Sequence, residues 1–75
     1  MDNKIIGLLQ TFESSPGAVS LVAAVCGVEL DYEPYEASEG YNDSKVEELL
    51  KTATTEQKLE LTVELLQAAA ENLDN

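Results

Sequence analysis

Carboxylates are the one reactive group this chain carries in quantity. The stretch ELDYEPYEASEGYND places Glu29, Asp31, Glu33, Glu36, Glu39 and Asp43 within fifteen residues, interleaved with Tyr32, Tyr35 and Tyr41. Oxygen ligands at that density suit a hard divalent cation. A calcium loop counted from Asp31 would need oxygen ligands at its third and fifth positions, glycine at its sixth and glutamate at its twelfth. Glu33 meets the third requirement, but Tyr35, Glu36 and Asn42 stand at the other three positions. No dedicated metal site and no cofactor is expected.

Other catalytic chemistry lacks its parts. The chain has no histidine, which removes the commonest general base and metal ligand. It has no arginine, so no planar fork for a phosphate or carboxylate substrate. Cys26 lies in the most apolar stretch with no basic neighbour, where a thiol packs as a small core residue and is not activated as a nucleophile. Gly7, Gly17, Gly27 and Gly40 are scattered and form no phosphate-cradling loop. Paired catalytic carboxylates need an enclosing cleft, and 75 residues leave little room for one. The expectation is a protein that is not an enzyme.

Charge narrows the partners. Fifteen Asp and Glu against four Lys give a formal net charge of −11. Such a surface repels nucleic-acid phosphates and anionic lipid and attracts basic proteins. The residues before Thr11 lack a basic head and a full-length apolar run, so no signal segment is expected. The uncharged run from Ser14 to Val28 is shorter than the ~18 residues of a membrane span. A single cysteine excludes an internal disulfide framework, and a reducing, cytoplasmic setting is expected.

The elements that must position these groups follow from periodicity and caps. Ser15 to Val28, SPGAVSLVAAVCGV, is apolar nearly all round; Ser15 and Pro16 read as a helix start and Gly27 as its stop. A buried strand competes, but the alanines and the start and stop residues favour a helix over 16–27, enclosed by the others. Ile5, Leu8, Leu9 and Phe12 share one face of a first helix over 3–13, with Asp2 placed to cap it. Ser44 with Glu47, and Thr54 with Gln57, each match a capping box, predicting helices over 44–53 and 55–73. Val46, Leu49, Leu50 and Ala53 form the buried face of the third. The whole of 1–75 reads as one all-α domain, a small four-helix bundle with a long acidic Tyr-containing loop at 29–43 between the second and third helices. Within that loop Glu33, preceding Pro34, is expected to be extended.

The last helix is two-sided. Leu59, Val63, Leu66, Ala70 and Leu73 form one straight stripe, expected to face the bundle. Leu61, Leu65 and Ala68 form a second, well around the helix from the first. Either the first helix covers Leu61 and Leu65, or they are an exposed interface, and a homodimer through the last helix is one way to cover them. The expected function is a small acidic interaction module (adaptor, subunit or modulator) docking on a basic protein partner, with no direct nucleic-acid or membrane binding. Its candidate partner-binding residues are Tyr32, Tyr35, Tyr41, Glu33, Glu36, Glu39, Leu61 and Leu65. The alternative is an inhibitor of the phage anti-restriction or anti-CRISPR kind, whose carboxylates imitate nucleic-acid phosphates.

Overall fold

The computed structural model describes residues 2–74. They form four helices, α1 (Asp2–Phe12), α2 (Ser15–Cys26), α3 (Glu39–Thr52) and α4 (Thr55–Asp74), with a 3-10 turn at Pro34–Glu36 and no strand among the described residues. The all-helical expectation is met. A radius of gyration of 11.8 Å is close to the ~11 Å expected of a compact chain of this length. No helix among the described residues is long and apolar enough to cross a membrane.

Helix α2 is the hub, touching α1, α3, α4 and the 3-10 turn. It begins one residue earlier than its Ser-Pro pair suggests. The cap is Ser14, whose hydroxyl accepts from the Gly17 N–H at 3.3 Å, and Pro16 falls within the first turn, where its missing N–H is harmless. The end is as expected. Gly27 adopts φ 69°, and the Gly27 and Val28 N–H groups donate back to Ala24 and Ala23. That left-handed closure satisfies two carbonyls a side chain would make strained. Ala18, Val19, Val22 and Ala23 are buried, whereas Ser20 and Ala24 face solvent, so the helix is covered on one broad side and not enclosed all round.

Helix α3 departs most from expectation. It starts at Glu39 and not at Ser44, so the irregular connection is 28–38, shorter than the loop at 29–43. Ser38 caps it, accepting from the Tyr41 N–H at 3.1 Å, while the better-looking box at Ser44 and Glu47 lies inside the helix unused. The reason is tertiary. Asn42, 1 % exposed, accepts from the Tyr32 hydroxyl and donates to the Pro34 carbonyl, both at 3.0 Å. A buried amide satisfied in this way holds Glu39–Asp43 helical despite poor intrinsic propensity. Glu33 is extended, as expected before proline.

The core gathers Ile5 and Leu9 of α1, the four buried residues of α2, Val46, Leu49 and Leu50 of α3, and Leu61 and Leu65 of α4. Here the two stripes of α4 exchange roles. Leu61 and Leu65 are 1 % and 0 % exposed, while Leu59, Val63, Leu66 and Leu73 are 64 %, 45 %, 56 % and 87 % exposed. Three contacts set the rotation of the helix. Thr54 and Gln57 close the expected capping box reciprocally, at 2.9 and 3.1 Å, and Gln57 Nε2 also reaches the Cys26 carbonyl at 3.5 Å. Lys58 pairs with Asp2 of α1 at 2.9 Å. At about 100° per residue, Gln57 and Lys58 flank the Leu61–Leu65 side, so anchoring them turns that side inward.

Candidate acidic interface

The carboxylates that the sequence scatters over the turn after α1, the connection and α3 meet on one face. Between α1, α2 and α3 lies a groove of about 330 Å³ whose walls include Ile6, Leu9, Ala18 and Val46 and whose carboxylates are Glu13, Glu39, Asp43 and Glu47. Ser14, Ser15 and Glu39 lead from it into a shallower hollow that also touches Pro16, Ala37 and Asn42. Ala37 in turn borders a third depression formed by Tyr32, Glu33, Glu36, Ser38 and Tyr41. The three share residues and form one trough. Glu33, Glu36, Glu39, Asp43, Glu47 and Glu13 line these three and no lysine does, while Ile6 and Glu47 also border a fourth hollow that holds Asp2 and Lys51.

Local structure explains why these groups converge. The Ser14 cap turns the chain sharply after α1, bringing Glu13 beside the start of α2. The Ser15 hydroxyl donates to the Glu39 carbonyl at 3.4 Å, joining the beginnings of α2 and α3. From there Glu39, Asp43 and Glu47 follow at intervals of four and share one side of α3. The ion pairs lie elsewhere: Lys58 with Asp2, and Lys45 with Glu48 at 3.6 Å. Among the described residues none of the trough carboxylates is in an ion pair with a lysine.

The aromatic end is more ordered than a solvated loop would be. Tyr32 and Tyr41 pack edge to face, with ring centroids 4.9 Å apart at 88°. That is a favoured arrangement of two ring quadrupoles. Burial raises the Tyr32 hydroxyl above its usual pKa, and neighbouring Tyr41 and Asp31 push the same way. Burial likewise raises the Cys26 thiol, which is half-buried and free, so the group is further from being a thiolate nucleophile. Among the described residues no group of three or more metal-ligating side chains is placed to hold an ion.

Of the residues the sequence singled out, Tyr32, Tyr41, Glu33 and Glu36 come together at one end of the trough, and Glu39 sits at its middle. Tyr35 is 75 % exposed and lies outside it. Leu61 and Leu65 belong to the core and are not available to a partner. Sequence reasoning missed Glu13, Asp43 and Glu47 as members of this face. The spacing of Glu39, Asp43 and Glu47 was a usable signal once α3 is known to start at Glu39; nothing local marks Glu13. Compared with protein-family models, curated proteins and solved structures, the chain matches none.

Proposed function

We propose that this protein is a small, non-enzymatic interaction module, an adaptor, subunit or modulator, that docks on a protein partner through the acidic trough. The observation that carries the reading is the pairing of an apolar-walled groove with a run of six carboxylates, bordered by Lys51 at its α1–α3 end. The groove volume is at the lower end of the range for small-ligand sites, enough for a few side chains. A segment bearing Lys or Arg beside an apolar residue would seat the apolar group against Ile6, Leu9 and Val46 and pair its charges with Glu13, Glu39, Asp43 and Glu47. Tyr41, 55 % exposed, adds an aromatic face for a cation at the other end. The net charge of −11 would speed encounter with a basic surface and reject acidic ones. A cytoplasmic setting is part of this reading, with Cys26 kept as a free thiol.

A second reading has the line of carboxylates imitating a nucleic-acid backbone for a DNA- or RNA-binding target. The apolar walls favour the first, because a phosphate mimic has no use for them. One capture experiment from the native host separates the two. The intact protein is compared with a variant carrying Glu13→Gln, Glu39→Gln, Asp43→Asn and Glu47→Gln. A control of equal charge loss carries Glu56→Gln, Glu60→Gln, Glu64→Gln and Glu71→Gln on α4. A basic partner lost by the trough variant and kept by the control supports docking at the trough. Loss by both variants alike reduces the effect to net charge. Displacement of the partner by added DNA or RNA favours mimicry.

A further inference from the structure

Helix α3 carries two start signals, and only the outer one is in use. Ser38 caps the helix, while the complete box of Ser44 and Glu47 lies inside it. What the helix buries changes between the two. Of residues 39–43 only Asn42 is buried, whereas Val46, Leu49 and Leu50, the core face of α3, all follow Ser44. The first turn and a half is therefore held without apolar core burial. Its ties are the Ser38 cap at 3.1 Å, the two Asn42 hydrogen bonds at 3.0 Å, the Tyr32–Tyr41 ring pair and the long Ser15 to Glu39 bond at 3.4 Å. Opposing terms sit in the same residues. Gly40, Asn42 and Asp43 are poor helix formers. A Cβ at Gly40 would meet nothing within 4 Å, so no close packing demands glycine there. Glu39, Asp43 and Glu47 stand at intervals of four, where like charges destabilise a helix.

We infer that α3 exchanges between a long form capped at Ser38 and a short form capped at Ser44, and that only the long form assembles the trough. In the short form the Ser44 hydroxyl accepts from the Glu47 N–H, the Glu47 carboxylate accepts from the Ser44 N–H, and the core face from Val46 onward stays in place. Residues 39–43 then join the 28–38 connection. Glu39 and Asp43 leave the groove wall, and Glu47 is engaged in the box. A cation seated among these three carboxylates would hold the helix long, and the long form would bind it more tightly, by the same factor. That consequence rests on the trough being the docking site. The two forms of the helix do not depend on it.

Amide hydrogen exchange of the free chain, resolved by residue with NMR, tests the two forms with no partner present, so its result is separate from that of capture at the trough. In the long form the Asn42 N–H donates to the Ser38 carbonyl at 3.1 Å, and the N–H groups of Asp43, Lys45 and Val46 likewise bond four residues back. The short form leaves all four without a partner, whereas Leu49 and Leu50 keep theirs. The four should exchange through one shared opening, roughly tenfold or more faster than Leu49 and Leu50. Ser44→Ala removes the inner cap and should slow the four by roughly threefold or more relative to Leu49 and Leu50. Glu47→Ala should slow them more than Glu47→Gln, which loses the same charge but keeps the box. All three variants leave the long form's ties intact, so the fold is retained. Protection of the four equal to that of Leu49 and Leu50 would overturn the inference. So would exchange graded from Asn42 to Val46 and indifferent to Ser44→Ala, which is ordinary fraying from the helix end.

Discussion

The Asn42 side-chain amide donates to the carbonyl oxygen of Pro34 at 3.0 Å, across eight residues of sequence and inside the protein. With the Tyr32 hydroxyl on its other end, Asn42 ties the 28–38 connection to the first turn of α3. Asn42→Ala leaves two partners unmatched and should destabilise the fold by about 1–3 kcal/mol. Asn42→Asp keeps an acceptor for Tyr32 but loses the donor to Pro34 and buries a charge. It should be worse than Ala at neutral pH and recover part of the loss in acid, where a protonated carboxyl can donate. Urea melts at two pH values measure both.

Alkaline pH should release the same anchor. The Tyr32 pKa is raised in the folded state, by burial first and then by Tyr41 and Asp31. Its neutral, donating form is therefore favoured by folding. That stability is fully present below the unfolded value near 10 and is lost as pH rises through the higher folded value. The difference in stability between the native chain and Tyr32→Phe should hold steady up to about pH 10 and shrink above it. A difference that grows with pH would contradict the assignment.

The two faces of α4 should respond very differently to truncation. Leu65→Ala empties a fully buried position and should cost ~2–5 kcal/mol. Leu66→Ala, its neighbour in sequence, should stay within about 0.5 kcal/mol when measured dilute. Equal melting shifts for the pair would place the core wrongly.

Gln57 has two separable duties. Its Oε1 accepts from the Thr54 N–H, and its Nε2 reaches the Cys26 carbonyl. Gln57→Ala removes both and should cost about 1–2 kcal/mol. Gln57→Glu retains the capping box but cannot donate to Cys26, and should fall between Ala and the native residue in thermal melts.

Much of the fold was legible where a local rule and the global packing agree. Gly27 as a helix stop, Thr54 with Gln57 as a box, and Ile5 with Leu9 as a buried pair are all of this kind. The start of α3 was not, because Ser44 and Glu47 make the stronger local signal while the decision rests on Asn42 finding partners eight and ten residues earlier. Nor was the inward face of α4. Two leucine stripes of similar apolarity compete, and the choice is made by Asp2 and Cys26, which lie far away in sequence. For the candidate interface, the tyrosines and acids of the connection drew attention, but the groove beside them depends on how three helices converge, which no single stretch encodes.

None of the residues lining the trough comes from α4. Anything that grips α4 along its outer stripe therefore leaves the trough open, and the two surfaces can be mutated, titrated and saturated with effects that add.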